Sequence, residues 1–129
     1  MTITKQVLDE LTAQAKENPR LRMNMDLRNG PEDTSQRMLN ALEPGTVMPI
    51  HRHSGSSETC ICIRGHFEEY FYDSEGRLVE TVDMLPGGPI LNIEKGQWHS
   101  LKCLECGTVL FEAKDGMYEP LGPEDIMER

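Results

Sequence analysis

The feature that most constrains this chain is a series of short extended segments, regularly interrupted by turn residues, that begins near residue 36. Gln36–Leu42, Val47–His53, Glu58–Arg64, Phe67–Tyr72, Leu78–Met84, Ile90–Ile93, Trp98–Cys103 and Thr108–Ala113 read as strands. Between them stand breakers such as Glu43-Pro44-Gly45, Arg64-Gly65, Asp73–Gly76, Leu85–Pro89 and Lys95-Gly96. Strands this short, with turns at this spacing, predict an all-β sandwich or barrel and exclude an alternating βαβ sheet. One helical period precedes them. Val7, Leu8, Leu11 and Ala15 recur at three- and four-residue intervals, Thr4 is placed to cap the helix, and Asn18-Pro19 ends it. Met23, Met25 and Leu27 then alternate with polar neighbours in a half-buried strand pattern.

A chain of 129 residues has room for one core. The division expected is a helix and arm over residues 1–35, a β-barrel over 36–115 and a polar, fraying tail over 116–129. Acidic residues outnumber Lys and Arg by 22 to 13, so the surface repels a phosphate backbone and no nucleic-acid partner is expected. No apolar run is long enough to span a bilayer, and the first twenty residues lack the apolar stretch of a secretory signal. A cytoplasmic protein without a membrane partner is therefore expected. In that setting Cys60, Cys62, Cys103 and Cys106 are read as reduced thiols, lining the interior as small hydrophobes in preference to forming a second metal or redox site.

Three of the four histidines form a pattern. Gly45 is followed by His51-Arg52-His53, then by Glu58 and Gly65, and Gly96-Gln97-Trp98-His99 follows downstream. On a strand, residues i and i+2 share a face about 7 Å apart, so His51 and His53 can converge on one ion. Glu58 opens the next strand and His99 opens a later one. Three neutral imidazoles and a carboxylate suit one divalent transition metal such as Fe, Mn, Ni or Zn, with positions left for water or a substrate. Such ligation predicts that metal affinity falls below about pH 6.5, the ordinary histidine pKa. The pattern brings no evident general acid or base with it.

These residues resemble the cupin superfamily. Gly45, His51, His53, Glu58 and Gly65 match its first motif throughout. Gly88, Gly96 and His99 match the second, with Glu94 and Cys103 in place of its proline and asparagine. More narrowly, RMLNALEPGTVMPIHRH, IEKGQWHSL and GTVLFEAKDGMYEP are similar to the WbuC-type cupin-fold metalloproteins, many of which are encoded in bacterial surface-polysaccharide gene clusters. The resemblance implies a small jelly-roll barrel (a double-stranded β-helix), usually a homodimer, with a metal held in its mouth by His51, His53, Glu58 and His99. It implies a metal-dependent enzyme acting on a small polar, carbohydrate-like molecule; a non-catalytic metal-dependent sugar-binding domain is the alternative. Trp98, able to stack on a sugar ring, and Arg52, able to bind a phosphate or carboxylate at the rim, are candidate substrate contacts. Tyr118 and Lys114 join them through the resemblance alone. The apolar helix face needs a cover, and a second copy of the chain is the cover expected.

Overall fold

The computed structural model describes residues 1–127. One helix, α1 (Lys5–Glu17), precedes eight strands: β1 (Arg22–Asp26), β2 (Ser35–Leu42), β3 (Glu58–Arg64), β4 (Phe67–Tyr72), β5 (Leu78–Met84), β6 (Leu91–Ile93), β7 (Trp98–Cys103) and β8 (Thr108–Asp115). They form two antiparallel sheets, one ordered β1-β2-β8-β3-β6 and the other β5-β4-β7. The all-β expectation holds. The predicted strands return within two residues at each end, with one exception.

That exception is Val47–His53, which is extended but pairs only through an isolated bridge at His51. Pro49 has no N–H to donate, so a regular ladder cannot run through the segment. Its polar groups are met in another way. His51 and His99 exchange backbone bonds of 3.0 and 2.8 Å on one side. On the other side lies the tail, which was expected to fray. Arg52 N–H donates to the Asp125 carbonyl and Met127 N–H to the Ile50 carbonyl, at 2.9 and 2.8 Å. The histidine segment is thus held between β7 and residues 125–127.

Strand parity sorts the side chains into two cores. Between the sheets lie Leu42, Cys60, Cys62, Phe67, Met84, Cys103 and Leu110. On the outer face of the larger sheet, Leu39, Ala41 and Val109 meet Leu11 and Ala15 of α1. Burying each large aliphatic side chain contributes about 1.5–3 kcal/mol, so this contact, not intrinsic propensity, holds the helix. Thr4 caps it as expected, its Oγ1 accepting from Val7 N–H. Arg64 clips it to the barrel, with its guanidinium donating to Asp9 Oδ1, Thr12 Oγ1 and the Gly107 carbonyl. The apolar helix face is therefore covered by the chain's own sheet, and the homodimer expectation no longer rests on it. The cysteines are free, with Cys60, Cys62 and Cys103 buried and Cys106 exposed, in line with the hydrophobe reading. No described helix is long and apolar enough to cross a membrane.

Candidate metal centre

The inward face of β3 begins with Glu58, because alternation places Glu58, Cys60 and Cys62 on one side of the strand. His99 is the inward residue of β7 nearest that end, and the His51–His99 bridge brings the histidine segment alongside it. One ring nitrogen from each of His51, His53 and His99 lies within 4.8 Å of the other two, so the three could hold a metal ion. Glu58 Oε1 stands 3.3 Å from His99 Nε2 and 3.9 Å from His53 Nε2. The four residues picked out from sequence spacing thus come together, with the three histidines as the tight group.

The surroundings orient the rings. His51 Nδ1 lies 2.9 Å from the Pro49 carbonyl, which only a protonated Nδ1 can satisfy, so Nε2 is left as the lone pair. His99 Nδ1 lies 2.7 Å from Glu69 Oε1, and this buried pair holds a proton on the side away from the cluster. His99 Nε2 and Glu58 Oε2 are then buried polar atoms without a hydrogen-bond partner. Native interiors rarely leave such atoms unmet unless a ligand or ion meets them. Two orphaned atoms beside three neutral imidazoles are the chemical demand that a cation would answer, and the residues present fit one.

Electrostatics point the same way. Burial lowers the pKa of His51 and His99 to about 4 and that of His53 to about 3, so all three are neutral and ready to ligate at pH 7. Burial, with Glu112 beside it, pushes the Glu58 carboxyl well above the ordinary carboxylate value, so a cation must compete with a proton for it. The pH expectation is corrected accordingly. Histidine protonation opposes the metal only below about pH 5, not from pH 6.5. A proton held by Glu58 must leave when the metal binds, so affinity rises with pH through its raised pKa and then levels. Titration calorimetry between pH 5 and pH 8 in buffers of different ionisation enthalpy should show proton release on metal binding that declines as pH rises through that pKa. Affinity halved by pH 6.5 through histidine protonation would contradict this.

A cavity of about 580 Å³ opens beside the cluster, a volume suited to a small organic molecule. Its walls hold residues that the motif alone did not disclose. Glu69 on β4 is a buried inward carboxyl and Glu112 on β8 a partly buried one, and Asn40 Nδ2 donates to Glu112 Oε1 at 2.6 Å. Burial raises the Glu69 carboxyl. It opposes ionisation of Glu112 too, but the neighbouring Glu58 carboxyl, the charge of Lys114 and the Asn40 amide hold that carboxyl below the ordinary range. Potential proton-handling groups are therefore present, contrary to expectation. The signal was available in strand parity: Glu69 shares a face with Phe67, and Glu112 with Leu110.

Of the candidate substrate contacts, Tyr118 and Lys114 line the cavity, and Arg52 and Trp98 do not. The Arg52 guanidinium instead lies over the Trp98 ring, 4.6 Å from its centroid, and donates to Asp125 Oδ1 at 3.1 Å. Asp125 also accepts from Ser54 Oγ at 2.6 Å. Both contacts flank His53 and fix the loop that carries it. Cys60 is buried next to Glu58 along the inward face, and burial pushes its thiol pKa far up, so it remains a neutral thiol. His66 lies away from the site, 2.8 Å from Asp83.

The fold recurs in solved structures. KdgF from Halomonas sp. is 17% identical over 78% of this chain and 84% of its own, with a TM-score of 0.63. CapF from Staphylococcus aureus, a capsular polysaccharide assembling protein, is 18% identical over 80% of this chain and 30% of its own, with a TM-score of 0.67. The Schizosaccharomyces pombe Cnp3 cupin domain is 14% identical over 74% of this chain and 64% of its own, with a TM-score of 0.60. This chain spans under a third of CapF. At these identities the likeness is one of fold, and it defines a cupin-fold protein whose barrel mouth gathers three histidines able to hold a metal. No curated protein matches the chain. Residues 3–84 match the family described as a domain of unknown function, DUF6016, and the chain belongs to that family.

Proposed function

We propose that this protein is a metal-dependent cupin enzyme acting on a small polar, carbohydrate-like metabolite, with one divalent transition metal held by His51, His53, Glu58 and His99. The observation that carries the reading is the pair of buried, unpartnered atoms, His99 Nε2 and Glu58 Oε2, beside three imidazoles kept neutral by burial. When bound, the metal supplies Lewis acidity towards a substrate oxygen. The chain's own residues do the rest. Glu69 holds the proton of His99 on Nδ1 and so directs Nε2 inward. Glu112, held in place by Asn40, and Lys114 flank the ligand set and can accept or stabilise a proton at the reacting molecule. Tyr118 closes part of the cavity wall as a substrate contact.

The carbohydrate class is supported by the hydrogen-bonding side chains in the cavity wall, among them Asn24, Gln36 and Asn40, by the WbuC-type likeness and by a fold neighbour that is a capsular polysaccharide assembling protein. A neighbour with Mn(II) centres, Bacillus subtilis oxalate decarboxylase, is 22% identical over 77% of this chain and 26% of its own, with a TM-score of 0.59, and is consistent with manganese among the candidate metals. Elemental analysis of the purified full-length chain should find about one transition-metal equivalent per chain, falling to a small fraction in a His51→Ala/His53→Ala double variant. Wild-type protein that takes up no metal on reconstitution would overturn the reading. Metal-loaded protein that turns over no sugar or sugar derivative from a broad panel would favour a binding domain over an enzyme.

A further inference from the structure

Lys114 is an unusual residue for its position. It stands on the inward face of β8, opposite Glu58 of β3 and Gln36 of β2. Its side chain is 14% exposed and lines the cavity. The ammonium lies 3.9 Å from Glu58 Oε2 and 3.8 Å from Glu112 Oε2, beyond hydrogen-bond length to either, and no other described residue accepts a bond from it. Its three donor positions are unspent. A largely enclosed amine with unspent donors is costly unless an acceptor arrives with the ligand.

The position of Lys114 indicates which acceptor. Glu58 presents Oε1 to the histidine cluster and Oε2 to Lys114, so one carboxyl group separates the two. A molecule a few atoms long can therefore place one oxygen at the cluster and another on the ammonium. The carboxyl groups of Glu58 and Glu69, both buried, and of Glu112, partly buried, oppose a second negative charge but readily accept hydroxyl donors. From this geometry we infer that Lys114 is a specificity residue for the carboxylate of a small hydroxy acid whose other oxygens lie at the histidine centre. The inference rests on the metal-binding reading above and narrows its substrate class to hydroxylated monocarboxylates, sugar acids among them.

The test uses the full-length chain loaded with cobalt(II), whose visible spectrum reports ligand binding, titrated with glycolate and with the uncharged ethylene glycol. Wild type should bind glycolate about tenfold or more tightly than ethylene glycol. Lys114→Met should weaken glycolate binding about tenfold while cobalt stoichiometry is retained, and Lys114→Arg should keep most of the glycolate affinity. Lys114→Gln reads the same difference if the methionine variant does not fold. Equal affinity for the two probes in wild type, or an undiminished glycolate preference in the uncharged variants, overturns the inference while leaving metal binding intact. A wild type that takes up no cobalt overturns the metal reading, and this inference with it.

Discussion

Replacing Glu58 by glutamine should raise the melting temperature of the metal-free protein at pH 8 and at the same time remove most of the stabilisation that metal gives the wild type. The sign follows from the environment of Glu58. Its carboxyl is buried beside Glu112, which places its folded pKa above the ordinary value of 4.5. Stability from the retained proton is fully present below about pH 4.5 and is lost as pH rises through the folded pKa. At pH 8 the metal-free fold must either hold that proton against the solvent or bury an uncompensated charge. Glutamine does neither, and its amide can donate where Glu58 Oε2 now lacks a partner. A gain of about 1–3 kcal/mol, near 5–10 °C for a chain of this size, is expected. Metal should then raise the melting temperature of the variant only slightly, because the anionic ligand has gone. Calorimetric melts of metal-free and loaded samples at pH 5 and pH 8 check both halves. A variant less stable than wild type at pH 8, and still stabilised by metal, would show that Glu58 is a structural residue.

The largest loss of stability should come from Gly65→Ala. Gly65 links β3 to β4 at φ +85°, a region that side chains disfavour, and a Cβ there would lie 2.6 Å from the Thr108 Cα. Thr108 is fully buried, with Oγ1 donating to the Glu105 carbonyl at 2.7 Å and accepting from His66 N–H, so it has nowhere to move. The two sheets are joined at this turn, and opening it separates Phe67 from Leu110 in the shared core. The expected cost is about 4 kcal/mol or more, enough to leave little folded protein at 37 °C. Gly107→Ala is the control. It has a similar φ of +77°, but nothing lies within 4 Å of the added carbon, so only about 1 kcal/mol should be lost. Circular dichroism melts of the two variants separate the steric cost from the conformational one. Near-equal losses would show that the contact with Thr108 carries no weight.

The sequence determined whatever depends on period and spacing along the chain. Alternation and turn residues specified the strands. Three-and-four spacing specified α1. The fixed intervals linking His51, His53, Glu58 and His99 named the residues of the candidate centre, because each sits at a strand margin where parity sets its direction. Tertiary structure decided what depends on elements far apart in sequence. Residues 47–53 gave up a regular ladder because Pro49 cannot donate, and they are held by β7 and residues 125–127, a pairing that no local pattern encodes. The tail became part of the site's support, and the apolar face of α1 found its cover within the chain. The carboxyls of Glu69 and Glu112 and the ammonium of Lys114 acquired chemical meaning only when β2, β3, β4, β7 and β8 enclosed them. Their enclosure, and the raised pKa that burial imposes on Glu69, is a property of the surrounding surfaces and belongs to no single segment.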